Sequence, residues 1–194
     1  MRTLVIVTVA VTALACSKVD TQNPRAGEQG TTMADKAGRV DPAASVALAP
    51  LSESGVSGEL AFFPTDGGVR VEGYVKGLTP NSTHGFHIHD KGDCSAPDGS
   101  SAGDHYNPTQ AQHGAPGPDT HVGDMGNIVS DADGRATVSA FIVGGSVGAN
   151  AQSEHSRGNI LGHAVIVHAK TDDLASQPAG NAGPRVSCGV IAQR

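Results

Sequence analysis

Residues 66–76 read DGGVRVEGYVK. After the Asp-Gly-Gly turn, Val69, Val71, Gly73 and Val75 alternate with Arg70, Glu72, Tyr74 and Lys76. A period of two places one set on each face of a β-strand. Asp66-Gly67-Gly68 is itself a hairpin signal. Upstream, Gly58–Phe63 and the stretch around Val46 and Leu48 read as further strands. Downstream, Thr83–His89, Gly126–Val129, Ala136–Val143, His163–His168 and Arg185–Ile191 follow, with Asp133-Gly134 supplying one of the turns. About eight short strands are thus expected, interrupted by two long loops at 91–123 and 169–185. That pattern predicts an all-β fold, an eight-stranded Greek-key β-barrel or immunoglobulin-like sandwich.

Composition supports this and excludes alternatives. The chain has 194 residues with 26 Gly, 11 Pro, no Trp and only 16% charged residues. Helix bundles and coiled coils are rich in Ala, Glu, Lys and Leu, unlike this chain. The glycines keep no three-residue period, which excludes collagen. Net charge is −6 and no basic cluster occurs, which argues against nucleic-acid binding.

The N-terminus reads as an export signal over residues 1–15. Arg2 precedes an apolar run from Leu4 to Leu14, and Ala13-Leu14-Ala15 is a cleavage pattern. The run is too short for a comfortable membrane span. Cys16 follows directly. This arrangement resembles a bacterial lipoprotein signal, whose cysteine becomes the lipidated terminus; ordinary cleavage beside an incidental cysteine is the alternative. Residues 17–43 are polar and aperiodic, a flexible linker. The folded domain is then expected over 44–194. Cys94 and Cys188 remain. Two cysteines in an exported chain most often form one disulfide, and two separate thiols are the alternative. A closed loop of this length contributes roughly 4–5 kcal/mol in the chain-entropy model.

All nine histidines lie between His84 and His168. His87 and His89 share one face of their strand, where two imidazoles are well placed to grip one metal. His168 offers a third nitrogen. The loop adds His105, His113 and His121 at intervals of eight residues, with Asp124 three further on. Three histidines and a carboxylate fill a tetrahedral zinc site. Metal binding would also explain how a loop without an apolar run becomes ordered. Scattered solvent-facing histidines are the alternative reading.

GFHIHDKGDCS, SAGDHYNP, HVGDMGNI, HAVIVHAKTDDL and GNAGPRVSCGVI resemble, in order, the motifs of the copper–zinc superoxide dismutases. The resemblance runs from about Ser45 to the C-terminus and is nearest the bacterial branch. It implies conversion of superoxide to O2 and H2O2. His87, His89, His105 and His168 would hold copper. His105, His113, His121 and Asp124 would hold zinc, so His105 bridges the two metals and carries a proton during turnover. Arg185 would attract and orient the anion. Asp172 would link His87 to His113, and Cys94 would pair with Cys188. The resemblance further implies an exported antioxidant enzyme, here periplasmic and membrane-attached only through a lipid on Cys16. Both homodimers and monomers occur in the family, and either suits this chain. A metal-storage module would need neither Arg185, nor Asp172, nor a shared histidine.

His84, His155 and His163 match no ligand position, and Asp173 reads as a loop-capping or solvated carboxylate rather than a ligand. Four features depart from the commonest family pattern. Asp104 precedes the bridging position, Tyr106 replaces Phe, Ala179 stands before Gly180-Asn181, and 171–184 has no Lys. Anion steering would therefore rest on Arg185, with Lys91 from the other loop.

Overall fold

A computed structural model describes residues 41–148 and 156–194. The expected export signal, Cys16, most of the linker and His155 lie outside the described residues.

Eight principal strands form the fold: β1 (Ala44–Pro50), β2 (Ser57–Thr65), β3 (Gly68–Lys76), β4 (Thr83–His89), β5 (Asp124–Val129), β6 (Ala136–Val143), β9 (Ala164–His168) and β10 (Arg185–Val190). Two-residue strands β7 (Gly145–Ser146), β8 (Gly158–Asn159) and β11 (Ala192–Gln193) complete the set. The hydrogen-bonded order is β5-β4-β9-β10-β1-β2-β3-β6, antiparallel throughout. The two end strands, β5 and β6, pack against each other. The result is the expected all-β, nearly closed eight-stranded Greek-key barrel.

The sequence signals map onto it directly. Thr65 pairs with Gly68, leaving Asp66-Gly67 as a two-residue hairpin turn. Gly67 has φ +81°, a left-handed conformation that glycine adopts without a Cβ clash. β3 buries Val69, Val71 and Val75, as its alternation requires. The short β7, β8 and β11 were not legible, because two-residue ladders show no period. β5 begins at Asp124, two residues before the expected Gly126.

The barrel core is mostly aliphatic, with Phe62, Phe86, Tyr106 and Met125, and includes Val46, Leu60, Val71, Ile88, Ile142, Val165 and Val167. A smaller cluster of Leu51, Ala102, Ala164, Ile166 and Cys188 lies apart from it. Alternation explains the division. Val165 and Val167 belong to the core, while Ala164 and Ile166 belong to the outer cluster. Likewise Phe86 and Ile88 belong to the core. The alternating His87 and His89 pair opposite Ile166 and Ala164. All four ring and aliphatic positions are buried, so β4 is covered on both faces. The outer cover comes from the two long loops.

Those loops are held by cross-links and, in the first, by Ala102, Tyr106 and Val122, which reach the apolar clusters. Cys94 and Cys188 form a disulfide with Cα atoms 5.8 Å apart. A single 3-10 turn, Ser100–Ala102, interrupts the first loop. In the second, Asp173 accepts hydrogen bonds from the Ala175 and Ser176 amides, the Ser176 hydroxyl and the Asn181 amide. It is a loop cap, as expected.

Candidate metal centre

The strands bring the histidines together from distant parts of the chain. His87 and His89 come from β4, and His168 ends the neighbouring β9. His105 joins them through an isolated bridge to His89. Arg185, first residue of β10, pairs directly with His168. Asp124, first residue of β5, pairs with His87 across an irregularity in the ladder.

Two groups result, and His105 belongs to both. The first is His87, His89, His105 and His168. The second is His105, His113, His121 and Asp124. Within each group the candidate ligand atoms lie within 4.8 Å of one another, and every member is buried.

Hydrogen bonds settle which nitrogen of each ring faces inward. His89 Nδ1–H donates to the Gly103 carbonyl at 2.9 Å, and His168 Nδ1–H donates to the Gly183 carbonyl at 3.1 Å. His87 Nε2–H donates to Asp172 Oδ2 at 2.7 Å. The opposite nitrogens, His89 Nε2, His168 Nε2 and His87 Nδ1, are buried without any partner, as is His105 Nε2. A neutral imidazole that donates from one nitrogen carries a lone pair on the other. Four such lone pairs, buried and convergent, fit a metal that takes imidazole ligands.

The second group fits a cation by a different argument. Nδ1 of His105, His113 and His121 lie 2.9, 3.0 and 3.3 Å from the same oxygen, Asp124 Oδ1. His113 also directs Nε2 to Asp172 Oδ1 at 3.0 Å. A neutral His113 has one ring proton for two carboxylates. With that proton toward Asp172, Nδ1 meets Asp124 lone pair to lone pair, and a cation between them relieves the conflict. Three nitrogens and one carboxylate oxygen are a zinc donor set.

Electrostatics favours neutral rings. Burial lowers His87 to about 4, against the raising pull of its hydrogen bond to Asp172. Burial takes His89 to about 2 and His168 to about 3. His121 is lowered too, mainly by burial. Burial alone would raise Asp124, but the His105 hydrogen bond, the electrostatic pull of the nearby His113 and His121 rings and the Gly114 amide hold it below the usual carboxylate range. Asp172 is held low in the same way by His87, the Leu174 amide and His113, against its own burial. Metal ligands must be deprotonated, and burial favours that state at His87, His89, His168 and His121.

Arg185 donates to the Gly99 and Gly103 carbonyls, so its guanidinium is fixed by the disulfide-tied loop. It borders a cavity of about 690 Å³ that reaches His89, His105 and His168. Lys91, Asp104 and Ala179 line the same cavity. His84 bonds the Ser82 hydroxyl and the His168 carbonyl. His163 lies just before β9, donates to the Asp90 carbonyl at 2.7 Å and stacks on Tyr106. Neither belongs to either of the two groups.

Several supporting residues carried no sequence signal. Asn127 grips Asp172 by both its amide and its carbonyl. Gln177 grips His113 in the same two-point way. Gly180, at φ +67°, leaves no room for a side chain: a Cβ there would sit 1.8 Å from Asp172 Oδ1. An amide or a glycine in a loop has no periodicity, so only the fold reveals these roles.

The donor chemistry and the fold define a two-metal β-barrel, and the comparisons with known proteins agree. The family model described as copper/zinc superoxide dismutase matches residues 56–191. The extracellular Cu-Zn superoxide dismutase of Onchocerca volvulus is 42% identical over 157 residues, covering 72% of this chain and 71% of that one. A Cu-Zn superoxide dismutase of Aquifex aeolicus is 38% identical over 141 residues, covering 72% and 81%. Among solved structures, the clock protein EA4 superposes with a TM-score of 0.65 at 35% identity, covering 81% of this chain and 99% of that one. The chain belongs to the copper/zinc superoxide dismutase family. It is an oxidoreductase that uses copper and zinc.

Proposed function

We propose that the four-histidine group holds copper, that the His105–His113–His121–Asp124 group holds zinc, and that His105 bridges them. The carrying observation is the membership of His105 in both groups, Nδ1 toward Asp124 and Nε2 among the other histidines. The overall reaction takes two superoxide anions and two protons to O2 and H2O2. Copper, when bound, supplies the one-electron redox chemistry, while zinc has no redox chemistry and supplies fixed charge. The chain's own residues do the rest. His105 Nε2, buried and without a protein partner, is the atom that holds a proton and hands it on. Asp172 and Asp124 fix the orientations of His87, His113 and His105. Arg185 presents a positive charge on the cavity lining and draws in the anion, so a protein of net charge −6 can serve an anionic substrate.

We further infer that the enzyme acts outside the cytoplasm. Residues 1–15 direct export, Cys16 carries a lipid, and 17–43 tether the domain spanning 44–194, which places it in the periplasm. The signal-like N-terminus supports this, as does the relative named an extracellular superoxide dismutase.

Metal analysis with superoxide consumption tests the first reading. About one copper and one zinc per chain with rapid dismutation is expected, and bound metals without dismutation would refute it. In Arg185→Glu both metals stay bound, turnover slows and its ionic-strength dependence weakens. Unchanged pulse-radiolysis rates would remove Arg185 from the mechanism. For the address, the mature N-terminal mass should include a lipid that Cys16→Ser lacks.

A further inference from the structure

The segment between His113 and His121 has almost nothing to hold it. Residues 115–120 read APGPDT and contribute nothing to either apolar cluster. Thr120 bonds the Ala115 and Gly117 carbonyls, but those contacts are internal to the segment. Among the described residues, two side chains outside the loop donate to its backbone: Gln177 at His113, and Arg157, which precedes β8, within 115–120.

Its guanidinium spans the loop. Nη1 donates to the Gly117 carbonyl at 2.9 Å and more weakly to Val143 at 3.4 Å. Nη2 donates to the Thr120 carbonyl at 2.5 Å and to the Thr109 hydroxyl at 3.3 Å. Arg157 is itself fixed to the barrel end, because its amide donates to the Gly144 carbonyl at 2.6 Å. Gly144 lies flush against the arginine stem: a Cβ there would come within 2.5 Å of it. All these acceptors are neutral, so the cation does not serve an ion pair among the described residues. A planar fork can bond acceptors on separate stretches at once, which an ammonium cannot. The peptide unit it grips at Thr120 leads directly into His121.

We propose that Arg157 is a positioning residue for the zinc group, clamping 109–120 so that His121 Nδ1 is presented to His105, His113 and Asp124 before metal arrives. The proposal rests on the zinc reading above. It assigns to the arginine work that a hydrophobic core would do elsewhere. No histidine of the four-histidine group lies within 109–120, whereas His113 lies inside it and His121 directly follows it, so the effect is selective.

The test compares full-length wild type with Arg157→Ala and Arg157→Lys. Zinc and copper affinities are measured separately by chelator competition, with the melting temperature of the metal-free protein alongside. In Arg157→Ala, zinc affinity falls about 10-fold or more, the scale of outer-shell changes, while copper affinity shifts less than about 2-fold. Arg157→Lys keeps the charge without the fork and falls between. Co(II) substituted for zinc loses the intensity of its tetrahedral visible bands in Arg157→Ala. Unchanged zinc affinity in both variants overturns the proposal. So do equal losses of zinc and copper, the mark of a residue that merely stabilises the fold. Should Arg157→Ala not fold, the zinc-to-copper ratio of Arg157→Lys decides alone. A wild type that binds no zinc would instead refute the zinc reading itself.

Discussion

The two metal groups share His105 yet are built by opposite means. Three of the four histidines in the first group stand on hydrogen-bonded neighbours, β4 and β9. Their backbones are fixed by ladders, and burial keeps their rings neutral. In the second group only Asp124 stands on a strand. His105, His113 and His121 come from a loop that reaches the barrel core through Tyr106 and Val122 and is otherwise held by the Asp124 carboxylate, Gln177 and Arg157. On the proposed assignment, the four histidines would offer copper a site preformed by sheet pairing. The second group is only partly assembled by side-chain clamps, so zinc binding there would contribute directly to loop order.

Four experiments probe that contrast. The largest effect is expected from the disulfide, which ties the loop gripping Arg185 to β10. Cys188→Ser should lose about 4–5 kcal/mol by the chain-entropy account, read as a lower urea midpoint, with zinc affinity little changed. An unaltered midpoint would mean the loop is held by other contacts. Next comes Asp124→Ala, which removes the only carboxylate of the zinc group. Zinc affinity should fall by more than the 10–100-fold typical of outer-shell changes, and copper affinity by far less. Equal losses would erase the distinction between the groups.

Asp172→Asn attacks the link instead. Asp172 accepts from His87 in one group and His113 in the other. Both metals should weaken together by roughly 10–100-fold, and loss of one alone would show that the link does not couple them. Mild acidification of the metal-free protein, from pH 7 to 6.5, gives the smallest effect. His87, His89 and His168 stay neutral in the fold down to about 4, 2 and 3, while unfolded histidine protonates near 6.5. Below that point the unfolded chain binds more protons, so stability falls as pH falls. From pH 7 to 6.5 the three together lose under ~1 kcal/mol, and the decline steepens toward pH 4. Chemical denaturation at each pH reads it, and a flat profile would contradict the buried neutral rings.

Much of this was legible in the chain. Alternation at 69–76 identified β3, and HAVIVH identified β9 within one residue. His-x-His on a strand put two imidazoles on one face, and eight-residue spacings brought the loop histidines into view. What stayed hidden has a common cause. Gln177, Asn127, Gly180 and Arg157 act through contacts to residues far away in sequence, and nothing local marks them. Asp124 looked like a loop residue, but its backbone already belongs to β5.

Local pattern by itself determined the strands, the faces of His87 and His89, and the supply of ligands. These depend on side-chain period and residue type, which a linear chain displays. Only the tertiary structure decided which ring nitrogen points inward, because that follows from the carbonyl or carboxylate each ring meets on its other side. His89 meets Gly103, His168 meets Gly183, and His87 meets Asp172, 85 residues away. Those meetings exist only once the barrel has folded and its loops have closed over β4.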